Sequence, residues 1–142
     1  MMNPTGGAVR IDAGGNGNYG ASRSKIVGGK KIEYSHQGMD LACIPGQDIR
    51  AISRGRFARL SFPYKDDQTY HGLVLETRQA TFKIFYVKPD VSLLGKIVEE
   101  GDIMGKAQDI SKKYPGSGVT PHIHIEIVAC DPRVLFGTKV EG

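Results

Sequence analysis

Long apolar runs, cysteines and helical periodicity are all scarce in this chain, and each shortage excludes something. No apolar stretch approaches the ~18 residues of a helical membrane span, so an integral membrane protein is not expected. Met1-Met2-Asn3-Pro4 lacks the charged-then-apolar profile of a secretory signal, so the chain as written does not read as a signal-directed export substrate. Two cysteines, Cys43 and Cys130, cannot build a dense disulfide framework and have no zinc-knuckle spacing. Two buried thiols acting as small hydrophobes are the default expectation, with one bridge only if the strands that carry them lie side by side. No window of about a dozen residues keeps apolar positions at helical spacing without a glycine or proline interrupting it. A helical fold is thereby set aside.

What is present points to strands. The 142 residues form one domain, large enough to bury a core without staples, and the 19 glycines suit tight turns better than helices. Short β-type runs recur: LACI at 41–44, IRAI at 49–52, RFARLSF at 56–62, GLVLET at 72–77, ATFKIFYV at 80–87, KIVEEGDIMGKA at 96–107 and HIHIEIVA at 122–129. Turn signals such as Pro45-Gly46, Lys88-Pro89-Asp90 and Tyr114-Pro115-Gly116 separate them. The expected fold is all-β, a single domain of antiparallel sheets, with at most one helical turn at 109–113. Residues 1–9 are expected to be a flexible tail, 10–137 the folded domain and 138–142 a second tail. No repeat, linker or low-complexity segment interrupts it.

The net charge is +4, and residues 1–60 hold nine Lys and Arg against four Asp and Glu. The densest part, Arg50, Arg54, Arg56 and Arg59, alternates with apolar residues as a strand surface does. It lacks the interleaved aromatics of a nucleic-acid site. A solvated face, or attraction to an anionic polymer such as cell wall, is expected instead of nucleic-acid binding or membrane insertion.

The chemistry concentrates in two histidine motifs. His36-Gln37-Gly38-Met39-Asp40 brings an imidazole and a carboxylate into reach where a loop enters a strand. In His122-Ile123-His124-Ile125-Glu126-Ile127, the strand period of two puts His122, His124 and Glu126 on one face and the isoleucines on the other, toward the core. Imidazole and carboxylate are zinc ligands, and a catalytic zinc takes three protein ligands with one position open. His71, in Tyr70-His71-Gly72, reads as a loop histidine and not as a fourth ligand.

These two motifs together resemble the signatures of the lysostaphin-type zinc metalloendopeptidases, the duplicated-hybrid-motif fold. Asn18-Tyr19-Gly20-Ala21-Ser22-Arg23, Gly28-Gly29-Lys30-Lys31, Pro45-Gly46-Gln47-Asp48-Ile49-Arg50-Ala51 and Glu100-Gly101-Asp102-Ile103-Met104-Gly105 follow the family's order, so the likeness spans roughly residues 10–135. It implies that His36, Asp40 and His124 hold Zn2+ and that His122 is the unligated histidine acting on the water or the oxyanion. Active members carry a further helper histidine in a Tyr-x-His motif, and that place reads Tyr86-Val87-Lys88 here. Lysine satisfies the charge of that donor but not its geometry, and losing one preorganised group costs on the order of 10²–10³ in rate.

Phe85-Tyr86-Val87-Lys88-Pro89, Lys113-Tyr114-Pro115-Gly116 and Ser35-His36-Gln37-Gly38 resemble the chemotaxin-like proteins of this fold, which are secreted, keep zinc and are regarded as lacking peptidase activity. Cys43 and Cys130 fall where those proteins have cysteines, but the bridging partners look absent. By the same resemblance Tyr114 shields the open metal position; read from the residues alone it belongs to a turn. The implied functions are cleavage of peptidoglycan cross-links, weakened or lost through Lys88, or non-catalytic binding and signalling, or a structural part of a phage tail or injection device. The implied partner is a peptidoglycan peptide or a protein or glycan ligand in the groove. The implied place of action is extracellular or virion-associated.

Overall fold

A computed structural model of the chain describes residues 1–12, 15–16, 22–27, 30–35 and 38–130. Among them are thirteen short strands in antiparallel pairs and two single 3-10 turns, Val91–Leu93 and Ile110–Lys113. The second is the helical turn expected at 109–113, with Asp109 as its cap accepting from the Ser111 amide.

The largest sheet has six strands. In spatial order they are β11 (Ile97–Val98), β7 (Gly55–Ser61), β8 (Gly72–Thr77), β9 (Ala80–Phe85), β13 (His122–Cys130) and β5 (Met39–Ala42). A second sheet orders β10 (Val87–Pro89), β12 (Ile103–Ala107) and β6 (Asp48–Arg50). Two hairpins complete the set, β1 (Ile11–Asp12) with β2 (Gly15–Asn16) and β3 (Ser22–Val27) with β4 (Lys30–Ser35). The expected all-β architecture is what forms.

Period-two patterning builds the core. In β9 the alternate residues Ala80, Phe82 and Ile84 are buried, while Leu73, Val74 and Leu75 of central β8 are buried in succession, as suits a strand covered on both faces. Phe57, Leu73, Leu75, Ile84 and Ile123 of the large sheet share one apolar cluster with Ile49, Val87 and Met104 of the small one. Full burial of side chains of this size stabilises by ~1.5–3 kcal/mol each.

The run 96–107 does not stay in one sheet. It turns at 99–102, where the Glu99 amide donates to the Asp102 carboxylate (2.8 Å) and Gly101 takes a φ of +87°. Its first half joins β7 and its second half joins β6 and β10. The run 80–87 also breaks. Tyr86 has a φ of +69°, the one positive value at a non-glycine among the described residues, and the chain leaves β9 there to enter β10.

The first residues are not the flexible tail expected of them. The Met2 amide donates to the Ile52 carbonyl (2.8 Å), the Arg50 amide to Pro4 (3.1 Å), the Ala42 amide to Ala8 (2.8 Å) and the Arg10 amide to the Asp40 carbonyl (2.9 Å). The Asn3 side chain closes the turn by accepting from the amides of Thr5 and Gly6. Composition suggested a tail because Pro4, Gly6 and Gly7 lie in it; the outer edges of β5 and β6 needed backbone partners, and this segment supplies them. Residues 138–142, Asn18 to Ala21 and Gly28-Gly29 lie outside the described residues.

Cys43 follows β5, and its amide donates to the Pro121 carbonyl beside the start of β13, whereas Cys130 ends that strand opposite Ala80. The two strands are neighbours, yet the cysteines sit at opposite ends. At ~3.3 Å per residue the separation is about 26 Å, far beyond the ~7 Å a disulfide spans. Cys43 is a free thiol. Burial, then the charge of Asp109, pushes it up to about 11. Alkylation of Cys43 by iodoacetamide at pH 8 is therefore expected to run roughly 100-fold slower than for an exposed thiol, rising tenfold per pH unit toward pH 11. Peptide mass spectrometry over a pH series checks this; a fast, pH-flat reaction would contradict it.

Candidate metal and histidine site

Strands β5 and β13 are adjacent, and their register pairs Asp40 directly with His124 and Ala42 with His122. Residues 84 positions apart in sequence thus become a cross-strand pair. The two histidines and Glu126 lie along one face of β13, as the alternation predicts. Ile123 on the other face is fully buried and Ile125 partly so, but Ile127 is 60 % exposed. The expectation that all three isoleucines pack in the core therefore fails at Ile127. The register of β13 against β9 shifts there, between Ile127 and Ala129, and the strand has run past the apolar cluster.

Asp40 is 2 % exposed and sits at the centre. Its Oδ1 is 2.8 Å from His124 Nδ1, and its Oδ2 lies 3.7 Å from His122 Nε2. The same Oδ2 accepts from Arg10 Nε (3.1 Å) and Nη2 (2.9 Å), with both partners buried. A carboxylate this deep costs several kcal/mol unless paired, and the guanidinium is what offsets that cost. His122 Nδ1 donates to the Thr120 carbonyl at 2.7 Å, which directs Nε2 toward Asp40. His124 Nε2 is 3.0 Å from Glu126 Oε1. Burial pushes the His124 pKa down, but the hydrogen bonds to Asp40 and Glu126 outweigh it and leave it raised.

The His124 ring is confined by its neighbours. Phe85 stacks on it at 6.0 Å and 11°. Gly38 lies against it so closely that an added Cβ would come within 2.7 Å of Cε1 and Nε2.

Tyrosines wall the other side. The positive φ of Tyr86 costs about 1–2 kcal/mol, and hydrogen bonds hold it, from the Tyr86 and Val87 amides to the His71 carbonyl and from the Gln108 amide to the Tyr86 carbonyl. The Tyr86 ring meets His122 edge-on at 5.5 Å. The Tyr86 hydroxyl is 3.3 Å from that of Tyr64, which in turn is 2.9 Å from that of Tyr114. Burial is the main cause that moves Tyr86 up to about 12. Lys113 Nζ stands 4.3 Å over the Tyr64 ring and pairs with Asp67 at 2.8 Å, fastening the loop after β7 to the turn before β13. Tyr114 is both a turn residue and a site-wall residue, 42 % exposed and bonded to Tyr64.

Of the residues singled out from sequence, Asp40, His122 and His124 come together. His36 lies outside the described residues. Lys88 is an exposed residue of β10 opposite Lys106, and no described contact joins it to Asp40, His122 or His124. His71 is a loop residue whose ring packs on Phe62 at 5.5 Å. Sequence reasoning did not single out Arg10, Gly38 or Tyr64. For Arg10 one signal existed: an aspartate inside MDLACI, an apolar strand, demands a cation from elsewhere.

No protein-family profile matches the sequence. Bovine leukocyte cell-derived chemotaxin-2 is 31 % identical to the chain over 116 residues, 81 % of this chain and 69 % of the bovine protein. The chain belongs to the leukocyte cell-derived chemotaxin-2 family. Among solved structures, the catalytic domain of the antimicrobial peptidase lysostaphin from Staphylococcus simulans superposes with a TM-score of 0.52 at 19 % identity, covering 85 % of this chain and 91 % of that domain. At that identity the likeness establishes the fold, which is lysostaphin-type. The two histidine motifs imply a zinc ion at this place. Among the described residues no group of three His, Cys, Asp or Glu side chains is arranged around a metal position. Two donors of the right chemistry are adjacent, Nδ1 of His124 and Oδ1 of Asp40, 2.8 Å apart and hydrogen-bonded to each other. In chemistry, though not in number, these are donors of the kind zinc takes.

Proposed function

We propose that the protein is a zinc-holding module of the peptidase fold that binds a peptide or glycan in the groove beside His122, outside the cell, and cleaves peptidoglycan peptides slowly or not at all. The observation that carries this reading is the convergence of Asp40, His124 and His122 at the β5–β13 junction. His36, Asp40 and His124 would hold the ion. Zinc bound there would act as a Lewis acid and lower the pKa of its water toward ~7. The chain's own contribution is positional. Arg10 and His124 orient the Asp40 carboxylate, and the Thr120 carbonyl aims His122. Tyr86, edge-on to His122 and bonded through Tyr64 to Tyr114, bounds the site on one side.

Weak catalysis follows from Lys88 standing where active lysostaphin-type enzymes have a histidine, a change that trades a fixed imidazole donor for a flexible point charge. A second reading, an active peptidoglycan endopeptidase, is favoured by His122, a general acid–base side chain whose ring the Thr120 carbonyl holds in one orientation beside Asp40.

One experiment separates them. Purified protein should carry about one equivalent of zinc, lost in His124→Ala and largely kept in His122→Ala. Release of soluble peptides from peptidoglycan should be near background and should rise in Lys88→His. Efficient cleavage by the unaltered chain, slowed by Lys88→His, would establish the enzyme reading; no zinc in any form would remove the metal reading.

A further inference from the structure

The face of β13 carries a third polar residue for which the zinc reading has no use. Glu126 lies two positions beyond His124, and its Oε1 is 3.0 Å from the ring nitrogen that Asp40 does not touch. His124 therefore stands between two carboxylates, Asp40 on Nδ1 at 2.8 Å and Glu126 on Nε2. The two are not equivalent. The Asp40 side chain is 4 % exposed and shared with Arg10, while that of Glu126 is 26 % exposed and stands across the ladder from Lys83 of β9. Lys83 Nζ lies 5.7 Å from the ring centroid of Phe85, the residue stacked on His124.

An ionised carboxylate only accepts hydrogen bonds, so in the metal-free site the nitrogen facing Asp40 and the nitrogen facing Glu126 each carry a hydrogen. Asp40 is the carboxylate the zinc reading uses, so Nδ1 beside it is the nitrogen that would meet the cation, exchanging its proton for the ion, while Nε2–H stays on Glu126. With Phe85 and Gly38 restricting the ring, the contact to Glu126 fixes which edge of the imidazole faces Asp40. We propose that Glu126 is a positioning residue: it holds Nε2–H of His124 so that Nδ1 is presented, together with Asp40, to a divalent cation. The inference rests on the zinc reading above. Outer carboxylates that orient a histidine ligand in this way commonly carry 10–100-fold in metal affinity.

Two variants and one spectrum test it. Glu126→Val keeps a strand-forming residue but no acceptor; Glu126→Gln keeps an amide oxygen able to accept from Nε2–H. In competition against a chromophoric chelator, Glu126→Val should bind zinc 10–100-fold more weakly, while Glu126→Gln should stay within about fivefold of the unaltered chain. Unchanged affinity in Glu126→Val would overturn the proposal. So would equal losses in both variants, which would mean that charge and not the hydrogen bond matters. Complete loss in both would make Glu126 a ligand and overturn it too.

The second readout needs no metal. In proton–nitrogen spectra of the unaltered, metal-free chain, the His124 Nε2–H should be visible and slow to exchange, retained in Glu126→Gln and lost in Glu126→Val. Its absence from the unaltered chain overturns the proposal whatever zinc does. If the unaltered chain takes up no zinc, the metal reading falls, and Glu126 as the holder of Nε2–H is still decided by this signal.

Discussion

Asp40→Ala should cost ~3–5 kcal/mol of folding stability in metal-free buffer, the range for breaking a buried ion pair from one side. The loss comes from what is left behind. Arg10 is as deeply buried as its partner, so its guanidinium keeps the cost of leaving water and loses the carboxylate that offset it. His124 loses its Nδ1 partner in the same substitution. The exposed pair Arg54–Glu99, with side chains 67 % and 63 % exposed, is the control, and Glu99→Ala should change stability by no more than ~1 kcal/mol. Urea unfolding of the three proteins, with a chelator present so that no metal contributes, makes the comparison. A loss below ~1 kcal/mol in Asp40→Ala would show that the pair does not hold the N-terminal segment to β5 as described.

Gly38→Ala should destabilise by about 1–3 kcal/mol, although it adds only one methyl group. That carbon would sit 2.4 Å from the Ile125 carbonyl oxygen and 2.7 Å from the His124 ring. The oxygen is backbone in the β5–β13 ladder, where Ile125 pairs with Met39, so relief means shifting the strand register or displacing the imidazole. Either route should abolish zinc uptake. Gly46→Ala isolates the conformational part, because Gly46 has a φ of +83° and open space around its Cα. It should cost about 1 kcal/mol and leave zinc binding intact. Thermal unfolding and zinc content, measured on both variants, carry the test. Full zinc occupancy in Gly38→Ala would show that the ring is not confined as described.

Alternation was the readable part of this fold. GLVLET at 72–77 forms a strand with the boundaries expected of it, and the face carrying His122, His124 and Glu126 follows from counting by twos. The rest depended on long-range geometry that no local pattern encodes. Nothing in Phe85-Tyr86-Val87 announces a positive φ, because a tyrosine adopts it only where hydrogen bonds from distant residues hold it there. Nor did the run 96–107 show that its halves would serve different sheets. The first residues looked loose because glycine and proline were judged by composition, while their order comes from the unpaired edges they cover. At the site, Asp40 and His124 were legible as donor types, and Arg10 was not, since its role exists only once it is placed beside Asp40. Lys88 was weighed by its place in a motif, and the structure gives that place an exposed side chain whose cross-strand neighbour is another lysine.

The pairing of Asp40 with His124 also fixes when during folding the site can come into being. One half of it lies on β5 and the other on β13, 84 positions later, with β6 through β12 between them in the chain. Closing so long a loop is entropically costly and is rewarded only after the intervening strands have paired, the situation that makes sheet proteins of high contact order slow to fold. During synthesis the Asp40 strand emerges first and must wait for its neighbour, so the pairing of Asp40 with His124 cannot form before β13 is made. A nascent or truncated chain lacking β13 lacks His122 and His124, so under the proposed zinc reading a cation added at that stage would find Asp40 without its cross-strand partner.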